Sequence, residues 1–408
     1  MVLILNPFAR IEHLRGQRVL FLMVPVRHRP MAIHQIAYGK DPHLYGVLTG
    51  APAERGPRLD RRDRRRLSAL GVLLRSADVP KPTPFSAYLE DLERFLARPR
   101  PGTPWWPDAP SRGLTLNARM MFEPRGRLPR EVRTSGISAQ TLPAGVPTLW
   151  VRNPTTHSLF PYHLGERFLA RVGPLLRLTA TPAALDPTTR SVLQAAGVLV
   201  PSRRGHRNAD PAGAAALRSA RGCFASQGVA LLDRVFDPFQ ASRLSRYLQG
   251  LKREGFFGLK DNQSGRWFTH HEPLCAFLNG QLATLVSQVG GRRYHPALTY
   301  PVIYRPGDSL PRHRDVPPCE VVLSIQMDHL GATRTNWPLQ VERIDKTGAF
   351  LPYRTADGDA VLFKGGRLEH RRSPLTGARP SVNLVLCFAA RPYDSPLRAR
   401  RVGPISAP

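Results

Sequence analysis

Residues 304–315 read Tyr304-Arg305-Pro306-Gly307-Asp308-Ser309-Leu310-Pro311-Arg312-His313-Arg314-Asp315. His313 and Asp315 lie two apart, and in extended chain residues i and i+2 face the same side. One strand end thus presents an imidazole and a carboxylate together. A second imidazole, His370, follows Asp315 by 55 residues, just past the β-type run Asp359 to Phe363. Two imidazoles and one carboxylate leave coordination positions open, the donor set that non-haem Fe(II) uses. Zinc hydrolases can use the same donors.

The surrounding texture is that of a β-rich core. Runs at 298–304, 320–327, 339–343, 359–363 and 382–388 are short, rich in β-formers and bounded by Gly, Pro and Asp, which predicts a sandwich or barrel. A helix is expected over 237–254, with Phe239, Leu244, Leu248 and Leu251 on one side. A competing step, His270-His271-Glu272, lies near helical sequence without a downstream partner set and is read as surface or a substrate-side contact. Trp337 is read as core packing, Cys319 as a small buried apolar residue, and Asp359, after Gly358, as turn chemistry. Arg314, Arg371 and Arg372 flank the ligands and could select an anionic substrate.

Tyr304, Gly307, His313 and Asp315 give Tyr-x-x-Gly, five residues, then His-x-Asp; Arg379 follows His370 by nine residues and Ser381 follows by two more. This layout resembles prolyl-4-hydroxylase-like members of the Fe(II)/2-oxoglutarate-dependent oxygenase superfamily, over about residues 215–392. It is most similar to a bacterial subgroup marked by Tyr-Arg-Pro-Gly, by Cys319-Glu320 after the His-x-Asp step, and by Trp337-Pro338-Leu339. The resemblance implies a double-stranded β-helix (jelly-roll, cupin-like) barrel with flanking helices, and Fe(II) held by His313, Asp315 and His370. It implies 2-oxoglutarate and O2 as co-substrates, with Arg379 and Ser381 on the distal carboxylate. Arginine suits that task because its planar fork pairs bidentately with a carboxylate. Tyr304 is either a hydrogen-bond donor to the co-substrate or a core aromatic. An acidic ligand, rather than Ala or Gly, favours hydroxylation over halogenation. The implied reaction is hydroxylation of an unactivated carbon, in an amino acid residue of a peptide or protein or in a small molecule. Val316-Pro317-Pro318 departs from the subgroup, which is more polar there, and so would alter the substrate mouth.

The first half carries an internal echo. Leu59-Asp60, Leu67, Leu70 and Gly71-Val72-Leu73-Leu74 return 126 residues later as Leu185-Asp186, Leu193, Ala196 and Gly197-Val198-Leu199-Val200. Upstream, Val24-Pro25-Val26-Arg27 is echoed by Leu149-Trp150-Val151-Arg152. Each unit reads as strand, loop, short helix, glycine-ended exit and strand, either two winged-helix-like or peptide-recognition modules or two ordinary helix-to-strand joints. The Pro- and Trp-rich stretch Pro99 to Pro110 reads as a connector, and Ser202 to Gly213 as a second seam. The expected organisation is therefore α+β throughout: a unit at 1–98, a second at 99–213, and the oxygenase domain at 214–408.

The chain of 408 residues has a net charge of +29, from 59 basic against 30 acidic residues. Such a field attracts polyanions, yet 53 of the bases are Arg and six are Lys, beside abundant Ala, Pro and Gly. That composition points to coding bias, so nucleic acid is the less favoured partner, with a nucleic-acid-directed oxygenase or a non-catalytic binding protein as alternatives. No apolar run reaches the length of about 20 residues that a membrane helix needs. The N-terminus lacks secretory signal features, and four scattered cysteines suggest a reducing setting; the expected location is cytoplasmic.

Overall fold

The computed structural model describes residues 3–14, 19–49, 61–98, 113–133, 137, 141–202, 211–261, 264–328, 337–393 and 398–401. The Pro99 to Pro110 connector, Leu59-Asp60, and most of the Ser202 to Gly213 seam lie outside them. The chain divides into two compact units. One comprises Met1–Thr83, Leu248–Thr269 and Asp394–Pro408, and the other Pro84–Tyr247 and His270–Tyr393.

In the first unit the strands Arg10–Leu14, Val19–Val24 and Ala32–Ala37 form an antiparallel meander, and Arg398–Arg401 pairs beside Arg10–Leu14. Leu20, Leu22 and Val24 alternate inward at 0% exposure, as a half-buried strand requires. They pack with Leu44, Val47 and Leu48 from the helix Pro42–Thr49 and Leu67 from the helix Arg61–Ala69.

The second unit is built around two antiparallel sheets. Its strands, numbered for this unit alone, are β1 (Val229–Leu232), β2 (His295–Tyr304), β3 (Leu310–His313), β4 (Val321–Asp328), β5 (Leu339–Arg343), β6 (Lys346–Tyr353), β7 (Ala360–Phe363), β8 (His370–Arg372) and β9 (Ser381–Ala389). One sheet runs β1-β7-β4-β9-β2 and the other β3-β8-β5-β6. Among the described residues the two sheets stay separate and do not close into a single barrel. The long sheet is buried on both faces: β4 is buried from Val321 to Met327 and β9 at all but one position. One face is covered by the helices Pro211–Gln227 and Pro273–Gly290. The expected 237–254 helix is present as Pro238–Arg253.

Before the sheets, the second unit holds a smaller three-stranded meander of Met120–Glu123, Thr148–Arg152 and Leu159–His163, followed by the helices Glu166–Leu176 and Pro187–Ala195. Trp150 from this meander stands edge-on to Phe277 of the Pro273–Gly290 helix, ring centres 6.0 Å apart.

Two local readings need correction. Glu272 is no substrate contact: it caps the Pro273–Gly290 helix, accepting from the Cys275 N–H at 2.8 Å and the Tyr247 hydroxyl at 2.6 Å. Cys319 is buried, but as half of a disulfide with Cys387 on β9, not as an isolated apolar residue. The pair ties the loop following Asp315 to the long sheet.

Candidate metal centre

β3 and β8 are neighbours, and their register sets His313 opposite His370. Cross-strand partners project to the same face, which brings two imidazoles 57 residues apart in sequence to a ring-centre distance of 4.2 Å. Asp315 lies just beyond β3. Its N–H donates to the Gly365 carbonyl at 3.0 Å, tying it to the segment that leaves β7. One ligating atom from each of His313, Asp315 and His370 lies within 4.8 Å of the others.

The hydrogen bonds orient both rings. His313 Nδ1 is 2.9 Å from the Pro311 carbonyl, and His370 Nδ1 is 3.3 Å from the Leu368 carbonyl. A carbonyl can only accept, so Nδ1 carries the proton in each ring and Nε2 offers its lone pair. The Nε2 atoms stand 3.6 Å and 3.5 Å from the two oxygens of Asp315, one oxygen each. Asp315 Oδ2 is buried and has no hydrogen-bond partner among the described residues. Two lone pairs and a carboxylate aimed at one point, with a buried oxygen left without a donor, are unfavourable unless a cation stands between them. The residues therefore fit a divalent metal. His370 is buried, while His313 and Asp315 are half-buried, so the centre opens on one side.

Gly365 is part of the same construction. A Cβ there would lie 2.3 Å from Asp315 Oδ2 and 2.7 Å from Val322 Cγ2. The absence of a side chain gives the carboxylate its place.

Beside this His–Asp–His cluster is a buried polar group. Tyr304, at 2% exposure, faces Ser381 in the β2–β9 register. Ser381 Oγ accepts from Gln326 Nε2 at 3.0 Å and Asn383 Nδ2 at 3.1 Å. Arg372 donates to Asn383 Oδ1 at 3.0 Å and to the Trp337 carbonyl at 3.1 Å, with its guanidinium 4.4 Å from the centre of the Trp337 ring. Trp337 is itself edge-on to Tyr304 at 4.9 Å and donates its indole N–H to the Ser373 carbonyl at 2.6 Å.

Strand alternation separates the three flanking arginines. Arg372 is two residues from His370 and shares its buried face, whereas Arg371 points outward, donating to Gln340 Oε1 at 2.7 Å and lying 4.5 Å from the Phe350 ring. Arg314 is exposed. The signal for Arg372 was present in the i, i+2 spacing from His370. Arg379 lies in the loop before β9 and is exposed, while Ser381 opens the strand. Of the Val316-Pro317-Pro318 stretch at the expected substrate mouth, Val316 and Pro317 are exposed and Pro318 half-buried; Trp337 is buried.

No protein-family model matches the sequence, and no curated protein is similar to it. Among solved structures, a Pseudomonas putida prolyl-4-hydroxylase is similar over 43% of this chain and 99% of its own, with 17% identity and a TM-score of 0.36. The α-ketoglutarate-dependent epimerase SnoN of nogalamycin biosynthesis shares 9% identity over 43% of this chain and 83% of its own, with a TM-score of 0.38. A 2OG-Fe(II) oxygenase-family oxidoreductase from Burkholderia pseudomallei shares 14% over 43% and 90%, with a TM-score of 0.33. Two of these neighbours are named for 2-oxoglutarate (α-ketoglutarate) dependence, and all three are matched over less than half of this chain. No helix among the described residues is long and apolar enough to cross a membrane.

Proposed function

We propose that the two-sheet part of the second unit, within residues 214–408, is an Fe(II)/2-oxoglutarate-dependent oxygenase that hydroxylates an unactivated carbon. The observation that carries this reading is the convergence of His313 Nε2, His370 Nε2 and the Asp315 carboxylate on one partly open point. These three residues would hold the iron. Tyr304, Ser381 and Arg379 would take 2-oxoglutarate, with Arg372 adding a fixed positive charge within the sheets. When bound, iron with 2-oxoglutarate and O2 supplies the oxidising power, 2-oxoglutarate leaving as succinate and CO2.

The chain's own contribution is positioning and exclusion. Nδ1–H bonds to the Pro311 and Leu368 carbonyls fix the orientation and tautomer of the two imidazoles and leave Nε2 facing the metal position. Gly365 leaves room for the carboxylate. The apolar walls of β4, β7 and β9 keep water from the inner side. The substrate class is an amino acid residue in a peptide or protein, a free amino acid or a related small molecule. Residues 1–98 and 99–213 would form two accessory units ahead of the oxygenase domain at 214–408.

The test is an anaerobic titration with Fe(II) and 2-oxoglutarate, following the weak visible charge-transfer band of the chelate. Wild type should develop the band and His313→Ala should lose it. Arg379→Ala should need far more 2-oxoglutarate. Absence of the band in reconstituted wild type would overturn the assignment.

A further inference from the structure

The two meanders of the chain share one plan. In the first, Leu3–Leu5 pairs with Leu73–Arg75; in the second, Leu114–Leu116 pairs with Leu199–Pro201. An asparagine follows each first strand. Asn6 N–H donates to Val72 O at 2.8 Å and Asn117 N–H to Val198 O at 2.9 Å. Their side-chain amides donate to Gly71 O at 3.2 Å and Gly197 O at 2.9 Å, and their Oδ1 atoms accept from Phe8 N–H at 3.1 Å and Arg119 N–H at 2.9 Å. Three strands and then two helices of eight or more residues follow in both, the second copy adding the short helix Arg130–Arg133 between its first two strands. Each second helix ends in a glycine at positive φ, 74° at Gly71 and 71° at Gly197. The closing bond runs from Val72 N–H to Leu67 O and from Val198 N–H to Leu193 O, 2.8 Å in both. Side-chain caps, register and glycine positions agree together, so the segments 3–75 and 114–201 are two copies of one module.

The copies differ at one sheet edge. In the first, the strand after the asparagine, Arg10–Leu14, is paired on its outer side by Arg398–Arg401, from Arg10 opposite Arg401 to His13 opposite Arg398. In the second, the equivalent strand Met120–Glu123 ends its sheet among the described residues. It remains half-buried, with Arg119 exposed at one end and Arg125 and Arg127 exposed at the other. From Arg119 to Arg133 there are five arginines, at 119, 125, 127, 130 and 133, against Glu123 and Glu131. This module also belongs to the same compact unit as the metal centre.

We propose that the Met120–Glu123 edge binds an extended, acidic peptide segment as an added antiparallel strand, as Arg398–Arg401 is added in the first copy. Main-chain hydrogen bonds would supply the affinity and the flanking arginines the charge preference. Resting on the oxygenase reading, the segment would belong to the peptide or protein whose residue is hydroxylated.

The probe is a fluorescein-labelled decapeptide of alternating Glu and Val, read by fluorescence anisotropy against the full chain, with the Lys-Val counterpart as control. The Glu-Val peptide should bind saturably and the Lys-Val peptide should not. Arg119→Glu with Arg125→Glu should weaken binding by about tenfold, the worth of one or two exposed charge pairs. Along an edge strand, consecutive residues turn their N–H groups alternately inward and outward. One of Met121→Pro and Phe122→Pro should therefore melt like wild type, and that variant should lose the peptide. The proposal is overturned if that variant binds normally, if charge reversal has no effect, or if a single-stranded oligonucleotide displaces the peptide while both proline variants still bind it. His313→Ala should bind the peptide as wild type does, so failure of the oxygenase reading and failure of the docking edge give different results.

Discussion

Substituting Gly365 by alanine tests whether the metal centre depends on a missing side chain. The new Cβ would lie 2.3 Å from Asp315 Oδ2, 2.7 Å from Val322 Cγ2 and 3.2 Å from the Cys319 carbonyl, where ordinary contact begins near 3.4 Å. Val322 sits within β4 and Cys319 is tied to Cys387, so neither can yield easily. The Asp315 backbone is held by its 3.0 Å bond to the Gly365 carbonyl. The carboxylate is the part that can turn away, by about 1 Å from the difference between 3.4 and 2.3 Å. Metal–ligand distances tolerate only about 0.2 Å. The expected loss of metal affinity is at least about 10- to 100-fold, the scale seen when support for a ligand is removed. Gly366→Ala is the matched control, since its Cβ would meet only the Cys319 carbonyl at 3.6 Å and Glu320 Cα at 3.7 Å. Anaerobic calorimetry with Fe(II), beside melting curves of the metal-free proteins, separates lost ligation from lost folding. A Gly365→Ala protein that binds Fe(II) like wild type would refute the reasoning.

Three further outcomes follow from buried groups and turns. Burial pushes the Asp237 carboxyl up to about 7, so the native state keeps a proton that the unfolded chain loses near its ordinary value of 3.8. Its contribution to stability is complete below about pH 4 and is lost as pH rises to about 7; Asp237→Asn should flatten the urea-denaturation profile across that window. His163 behaves oppositely: burial lowers it to about 4, so its contribution is present above pH 6.5 and lost as pH falls toward 4, and His163→Gln should remove that acid-side slope. Gly71→Ala and Gly197→Ala should each cost about 1–2 kcal/mol for placing a side chain in the left-handed region. Gly71→Ala should cost more, because its Cβ would come within 2.9 Å of Val24 Cγ1, against 3.4 Å from Val151 Cγ1 at Gly197; thermal melting of the two variants ranks them.

Much of the centre was legible before any coordinates. The spacing of His313 and Asp315 is a property of extended chain, and the strand signals around them follow from β-forming residues between turn formers. The repeat was visible because each copy needs the same leucine, glycine and valine to close a helix onto a strand; Leu67, Gly71 and Val72 recur as Leu193, Gly197 and Val198. Other features depend on which strands become neighbours. That His370 faces His313 is fixed by the β3–β8 register, and the Cys319–Cys387 link by the loop before β4 meeting β9. The inward turn of Arg372 and the clearance at Gly365 arise only once the sheets are packed. Glu272 looked like part of a metal step and became a helix cap because the helix beginning at Pro273 left its first N–H groups without partners. Local sequence therefore determined ligand chemistry and the turns that end helices, since both depend on residues a few positions apart. Long-range pairing decided which ligands meet and which arginine is buried, because those distances are set by strands separated by tens of residues.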